Sequence, residues 1–333
     1  MANKALSRLE RVYMADQADF AVGPSFGNGD YVRSIKVDMS NDIATLVRRD
    51  KTGSRTATIG VKGRTFGKWS YEGSLAPSGV NGTAPDFEPL MKAIFGANGV
   101  AGGGGLQYNF VDDPILTFGM ASFRTPSTLN QRIAIGCVVQ EATFNVGADI
   151  AEFTASGECR NVLESDYYDA ATTEEKAGYG AMPTEPGAPV SAGGIIAGFT
   201  GDVSIGGSSI SRIRTATIKI NNGGAVVKDT FGTYLPNDVE GDTRNVTITF
   251  NMYEDDSAGQ KNIREATNTK TPVDVDITVG TVAGSMVQFL LTNVQLAAYT
   301  LDDSARRYSL SVPESRAFGT DITSLDEIVM VIK

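Results

Sequence analysis

The stretch Val139–Phe144, VQEATF, returns later in the chain as Val294–Tyr299, VQLAAY, at an offset of 155 residues. An aromatic residue follows nine positions after each stretch, Phe153 in the first case and Tyr308 in the second. The two segments keep their apolar and aromatic positions and one glutamine, while Glu141 and Thr143 are replaced by Leu296 and Ala298. Similarity of this kind within one chain predicts a duplicated structural unit.

The length of the chain agrees with a duplication. Its 333 residues can hold about two domains of about 150 residues each. We expect an N-terminal arm over residues 1–30, a first copy over 31–163, a linker over 164–211 and a second copy over 212–333. The linker is rich in Gly, Pro, Ser and Ala, and Met182–Gly187 is its most linker-like stretch.

Apolar and polar side chains alternate with a period of two in three segments: Trp69–Leu75, Val246–Met252 and Val273–Val279. This period predicts antiparallel strands with one face on a core and the other in water. In each copy we expect a strand, a polar connection, an alternating strand, a helix, a further strand and a long terminal hairpin. The predicted fold class is therefore mainly β.

One helix is predicted in each copy. Residues Asp86–Phe95 carry a single apolar stripe, with Asp86 as the expected N-cap and Gly96 as the expected C-terminal stop. In the second copy, Ser257 and Gln260 resemble a capping box that opens a helix. We expect this second helix to end before Pro272.

The first copy contains an insertion over Ala97–Asn109 with the tract Gly102–Gly105. Four successive glycines predict a flexible surface loop rather than an ordered part of the core. A phosphate-binding loop is disfavoured, because the flanking strand, the following helix and the lysine of such a loop are missing.

The two cysteines, Cys137 and Cys159, lie symmetrically about Ala148, so a hairpin turning there could place them opposite each other. The second copy has Thr292 and Ser315 at the equivalent sites. A disulfide that the fold required should recur in both copies. We therefore favour two buried thiols, with a bridge as the alternative.

Charge and residue types exclude several function classes. The chain has 29 basic and 39 acidic residues, a net charge of −10, which disfavours a tight nucleic-acid groove. It has no histidine, which removes the usual general base and the commonest metal ligand. The acidic pairs at 112–113, 255–256 and 302–303 lie beside turn residues, where Asp is favoured locally. We expect no catalysis, no cofactor, no metal site and no membrane helix.

Two connections in matching places, Arg48–Thr65 and Lys228–Thr243, are longer than ordinary hairpin loops. The first is basic and the second mainly acidic, which indicates contacts between subunits, although solvated charged loops remain the alternative. The candidate ring-stacking residues are Arg48, Arg49, Lys51, Arg55, Lys62, Arg64, Asp229, Asp238, Glu240 and Asp242.

The segment Gly67–Gly73, GKWSYEG, followed by Ala84–Met91, APDFEPLM, resembles the tail tube proteins, or major tail proteins, of long-tailed bacteriophages of the siphophage type. The resemblance implies tandem β-sandwich domains with flanking helices, whose inner sheets join neighbours in a β-barrel ring around a lumen. Rings of this kind stack into a tube. With the domain duplicated, three chains would give a pseudo-sixfold ring.

The function that follows is a structural subunit of a virion tail, assembled in the bacterial cytoplasm, whose acidic lumen conducts viral DNA. The expected partners are other copies of the chain, a tape measure protein and DNA in the lumen without specific binding, and terminator and baseplate or tip proteins at the tube ends. The candidate lumen acids are Glu72, Glu152, Glu158, Asp274 and Asp276.

Two other functions remain open at this stage. One is a tandem β-sandwich adhesin or a receptor- or carbohydrate-binding decoration protein that uses the aromatic rings of Tyr167, Tyr168 and Tyr179. The other is a glycoside hydrolase that uses one of the acidic pairs.

Overall fold

The structure, a computed structural model, describes residues 9–46, 60–112, 115–125, 129–147, 149–188, 190, 193–210, 213–303, 306–321 and 323–333. In this part the protein is mainly β, as predicted. It has two α-helices, α1 (Glu88–Phe95) and α2 (Ala258–Thr269). Single turns of 3₁₀ helix cover Asn28–Asp30 and Gly198–Thr200, and a longer one covers Ser165–Ala170.

Strands cover most of the remaining structure. In chain order they are β1 (Glu10–Gln17), β2 (Tyr31–Val32), β3 (Lys36–Leu46), β4 (Val61–Ser74), β5 (Val100–Gly102), β6 (Gly105–Tyr108), β7 (Thr117–Arg124), β8 (Arg132–Gly147), β9 (Glu152–Cys159), β10 (Asn161–Glu164), β11 (Asp202–Ile205), β12 (Ser208–Ser209), β13 (Ile213–Asn221), β14 (Ala225–Val226), β15 (Val239–Glu240), β16 (Asn245–Tyr253), β17 (Val273–Val279), β18 (Val287–Val294), β19 (Thr300–Asp302), β20 (Ser309–Arg316) and β21 (Ile328–Ile332).

Eight strands follow one another, all antiparallel, in the order β3-β4-β9-β8-β13-β16-β20-β19. We call this array the eight-stranded sheet. The pairing of β8 with β9 is interrupted by a bulge between Val139 and Glu141, and the first half of β8 pairs instead with β7 and β10. Strands β10, β8, β7, β1 and β2 thus form a second group of paired strands, which the first half of β8 joins to the eight-stranded sheet.

A separate seven-stranded sheet has the order β12-β11-β17-β18-β21-β6-β5, and β14 pairs with β15 as a small ribbon. A strand pair, a helix and a run of antiparallel strands occur twice along the chain. The first series is the β3–β4 pair, α1, the β5–β6 hairpin, and then β7 to β10. The second is the β13–β16 pair with the β14–β15 ribbon between its strands, α2, and then β17 to β21. Strand β1 lies in the predicted arm and β2 directly follows it, while β11 and β12 lie in the predicted linker.

Alternating side chains explain why the eight-stranded sheet has one polar and one apolar face. Residues opposite each other on neighbouring strands point to the same face. One cross-strand row is entirely polar: Lys36, Glu72, Thr154, Thr143, Lys219, Thr247 and Arg316. The adjacent row is apolar: Val37, Tyr71, Ala155, Ala142, Ile220 and Val246. The predicted period-two strands are confirmed.

The apolar face packs on the other layers to form the core. Phe144 of β8 stacks on Phe153 of β9 at 5.8 Å between ring centroids. On its other side it contacts Phe289 of the seven-stranded sheet at 5.0 Å. All three rings are fully buried. These contacts hold the eight-stranded sheet face to face with the seven-stranded sheet.

Both predicted helices are present, with one difference at the start of α1. The N-cap is Phe87 and makes no side-chain cap, so the prediction of Asp86 as the cap was wrong. A turn in which the Glu88 N–H donates to the Pro85 carbonyl precedes the helix and moves its start. Gly96 ends α1 in the left-handed region, and Ser257 caps α2 as predicted.

The prediction of a flexible loop for Gly102–Gly105 was wrong. Strands β5 and β6 form a hairpin whose turn is Gly103 and Gly104, at φ of +59° and +84°. A two-residue turn of type I′ needs positive φ at both turn positions, which glycine supplies without steric cost. The two cysteines are free and buried, as predicted.

Candidate functional site

The eight-stranded sheet ends in two open edges, β3 and β19. Among the described residues, no strand pairs with the outer side of either one. The part of β3 from Ser40 to Leu46 is exposed along its whole length, and so are the three residues of β19. An exposed edge presents unpaired N–H and C=O groups, which can pair with a strand of another chain.

The junction of β8 with β13 is where the two halves of the chain meet within this sheet. Seven residue pairs join the strands, from Thr215 opposite Gly147 to Asn221 opposite Glu141. Across this junction the Lys219 ammonium lies 2.9 Å from the Glu141 carboxylate. The protein therefore already contains one edge-to-edge junction between two four-stranded groups.

Two of the five predicted lumen acids, Glu72 and Glu152, lie on the polar face of the eight-stranded sheet and are half-buried. Glu141 and Glu314 share this face and were missed, because only the cross-strand register reveals them. The face is not uniformly acidic. The Lys68 ammonium, for example, pairs with the Asp42 carboxylate at 2.7 Å.

The other three predicted lumen acids are not part of the exposed polar face. Glu158 lies opposite Lys68 on that face of the sheet but is covered. Glu158 is 7% exposed, because β14 covers it; its carboxylate accepts hydrogen bonds from the Lys228 ammonium and the Val226 N–H. Asp274 and Asp276 belong to β17, on the side of the seven-stranded sheet that faces away from the core. Asp276 accepts a hydrogen bond from the Gln288 amide at 2.7 Å. The five acids therefore do not line one surface.

Lys62 and Arg64, two predicted ring-stacking residues, lie in β4 rather than in a loop. The Lys62 ammonium is 2.8 Å from the Glu175 carboxylate. The Arg64 guanidinium donates to the carbonyl of Asp229 at 3.1 Å, and the Thr65 N–H donates to the carbonyl of Tyr234 at 2.8 Å. The two long connections thus contact each other within one chain.

The remaining predicted stacking residues divide into two groups. Asp229, Asp238, Glu240 and Asp242 are exposed around the ribbon of β14 and β15. The basic residues Arg48, Arg49, Lys51 and Arg55 lie outside the described residues.

Large apolar side chains are exposed at both ends of the eight-stranded sheet. We call the end with the β3–β4 and β13–β16 connections the upper end, and the end with the β8–β9 turn the lower end. Leu46 and Val61 are exposed at the upper end, where Phe231 is 99% exposed. At the lower end, Ile150 is exposed and Phe199 is 77% exposed. Each end of the sheet therefore presents a large exposed aromatic side chain to solvent.

The Lys62–Glu175 pair predicts a pH dependence of stability. Burial raises the pKa of the Glu175 carboxyl, but hydrogen bonds from Lys62 and Thr172 outweigh burial and hold it below its ordinary 4.5. The stabilisation is therefore present above that value and is lost as the pH falls through the folded-state pKa. We expect Glu175→Gln, which cannot ionise, to weaken the fall of the urea unfolding free energy on acidification. An unchanged pH profile in this variant would contradict the assignment.

Of the three tyrosines considered for sugar binding, Tyr168 and Tyr179 are half-buried. Tyr167 is exposed, but the Tyr168 hydroxyl donates to the Tyr179 carbonyl and the Tyr179 hydroxyl donates to the Pro24 carbonyl, each at 2.7 Å. In the described ranges no three His, Cys, Asp or Glu side chains come together to hold a metal ion. None of the helices there is long and apolar enough to span a membrane.

Comparisons with known proteins identify the family. Residues 11–321 match the phage tail tube protein family. Similar solved structures include a chain of the virion of a native gene transfer agent particle, with 13% identity over 35% of this chain and 92% of that chain, at a TM-score of 0.27. Another is a chain of the tail of an empty gene transfer agent particle in C6 symmetry, with 15% identity over 33% of this chain and 81% of that chain, at a TM-score of 0.22.

No curated protein matches the sequence. The family match spans nearly the whole chain. The open edges and the exposed ends are surfaces of the kind that an assembling protein needs. The chain therefore belongs to the phage tail tube protein family and is a structural subunit of a tail tube.

Proposed function

We propose that three copies of the chain close a ring, in which β19 of one copy pairs with β3 of the next. The observation that carries this proposal is the β8–β13 junction, where two four-stranded groups already join edge to edge. Three chains with eight strands each would give a barrel of 3 × 8 = 24 strands. Closure would also pair both exposed edges, which are otherwise sites of aggregation.

The tandem duplication is part of this proposal. It is supported by the two series β3 to β10 and β13 to β21, each with a strand pair, a helix and a run of antiparallel strands. Because β1 pairs with β7 and β11 pairs with β17, we place the start of each unit at β1 and β11 rather than at residues 31 and 212. A ring of three chains then has pseudo-sixfold symmetry.

We place the polar face of the eight-stranded sheet on the lumen, because the other face is occupied by the core. Glu72, Glu141, Glu152 and Glu314 would then line the channel, and Asp274 and Asp276 would lie on the outer surface. Two lysines on this face are paired with carboxylates, Lys68 with Asp42 and Lys219 with Glu141. Such a wall offers no continuous basic stripe to DNA phosphates, so the channel would conduct viral DNA without holding it.

Rings would stack through the upper and lower ends, so that Phe231 and Phe199 become covered. The acids Asp229, Asp238, Glu240 and Asp242, together with Arg48, Arg49, Lys51 and Arg55, would contribute at the upper end. Lys62 and Arg64 would support the upper end from within the chain. We further propose a tape measure protein in the lumen, terminator and tip proteins at the tube ends, assembly in the host cytoplasm, and no enzymatic activity.

Electron microscopy of the purified protein tests the ring. We expect hollow rings or tubes with six similar lobes in each ring, and a ring mass three times the chain mass of 35.2 kDa. Monomers alone at high concentration, or a ring whose mass is not that of three chains, would contradict the proposal.

A further inference from the structure

A hairpin from the first half of the chain completes a sheet in the second half. Strand β6 pairs with β21 through three residue pairs: Met330 opposite Tyr108, Val331 opposite Gln107, and Ile332 opposite Leu106. Tyr108 is fully buried and Leu106 packs against the core. The hairpin β5–β6 is therefore anchored at its base in the first half while its strands extend the sheet of the second half.

The fit between this hairpin and β21 is close. A Cβ on Gly105 would lie 2.1 Å from the carbonyl oxygen of Ile332, so only glycine allows this approach. The Asn81 amide donates to the Gly104 carbonyl at 3.0 Å, which fixes the turn against the first half. Close to this contact, the Gly79 N–H donates to the Gly284 carbonyl at 2.8 Å.

The second half of the chain offers no counterpart. Where the first half has β5 and β6 between its helix and β7, the second half passes from α2 to β17 through only Lys270–Pro272. The strand in the first half that corresponds to β21 is β10. In β10, the Asn41 side chain bonds both backbone groups of Val162. The Asn41 amide donates to the Val162 carbonyl at 2.7 Å, and its oxygen accepts from the Val162 N–H at 2.8 Å.

We infer that the outer edge of β21 is a strand-binding site filled by the β5–β6 hairpin of the same chain. The proposed ring has two kinds of junction, one within each chain and one between neighbouring chains, and this hairpin is a strap found only at the junction within a chain. Within a chain, the junction has the β8–β13 pairing and the strap. At the junction between chains, the second half of one copy contains no hairpin equivalent to β5–β6. In the first half of the next copy, the Asn41 side chain already bonds the backbone of Val162 in β10.

The consequence for the ring rests on the proposed function. Three strapped junctions would alternate with three unstrapped ones, so the sixfold similarity of the units would be broken at every second contact. The partner at the unstrapped junction is a second copy of this chain, held by the edges of the eight-stranded sheet. The inference that the β5–β6 hairpin fills the edge of β21 within one chain does not depend on the ring.

Cleavage within the linker of the full-length protein tests the strap. A protease site inserted between Gly187 and Ala188, which are exposed, allows the folded chain to be cut into two halves. We expect the halves to stay together during affinity purification on an N-terminal tag. In Gly105→Val the side chain forces β6 away from Ile332, and we expect the halves to separate at least about tenfold faster.

Gly104→Asn is the matched control. Nothing lies within 4 Å of a Cβ there, and asparagine tolerates the positive φ of that position. If Gly105→Val unfolds before cleavage, a variant without residues 100–105 replaces it. Equal retention of the halves in the native protein and in a folded strap variant would overturn the inference. The cleavage experiment tests the strap within one chain, whereas electron microscopy tests the three-chain ring. A negative result in one experiment therefore leaves the other proposal standing.

Discussion

Replacing Leu301 with proline is expected to abolish ring and tube formation while the chain still folds. Leu301 is the central residue of β19 and is 53% exposed, so little of the core depends on it. Proline has no N–H, and within a sheet it is tolerated only where no ladder bond is needed. In the proposed ring, every contact between chains uses this strand, so a single substitution removes all three contacts at once.

Size-exclusion chromatography and electron microscopy measure this effect, and circular dichroism checks the fold. Leu301→Thr is the control, because threonine keeps the N–H and favours strands. We expect the control to form tubes and Leu301→Pro to elute as a monomer with an unchanged β spectrum. Tubes of normal length in Leu301→Pro would exclude β19 as the edge between chains.

Replacing Phe144 with alanine is expected to lower the free energy of unfolding by about 3–5 kcal/mol. The Phe144 ring is fully buried between Phe153 of its own sheet and Phe289 of the facing sheet. Alanine would remove both aromatic contacts and leave a cavity that the surrounding strands cannot fill.

Urea unfolding followed by tryptophan fluorescence measures this loss. The chain has a single tryptophan, Trp69, on the same sheet. Phe144→Leu is the control; it keeps most of the volume, and we expect it to cost below about 1.5 kcal/mol. A loss for Phe144→Ala no larger than that of the control would show that this ring does not couple the two layers.

The sequence predicts local features of this fold well. The strands around Trp69 and Val246 and the helix opened by Ser257 follow from periods of 2 and 3.6 residues and from capping chemistry, which depend on close neighbours in the chain. The start of β4 was missed, because the buried positions that alternate with the exposed Lys62 and Arg64 are Gly63 and Thr65, which are not large apolar residues. Small or polar residues at the buried positions remove the apolar alternation that identifies a strand in sequence.

Candidate site residues were harder to predict, because their exposure depends on distant segments. Glu158 belongs to an alternating strand and looks like a surface acid in sequence, yet β14, almost seventy residues later, covers it. Asp274 and Glu72 have the same local pattern but lie on opposite sides of the molecule, since strand order places β17 and β4 in different sheets. No local rule distinguishes these cases.

The number of strands in the eight-stranded sheet has a consequence for symmetry. Every neighbouring pair in it is antiparallel, so chain direction alternates from β3 to β19. Because the number is even, the two edge strands run in opposite directions. Copies related by rotation about one axis would then meet through an antiparallel pair, as β8 meets β13. An odd number would bring together parallel edges, so adding or losing a single strand would change the type of every contact between chains.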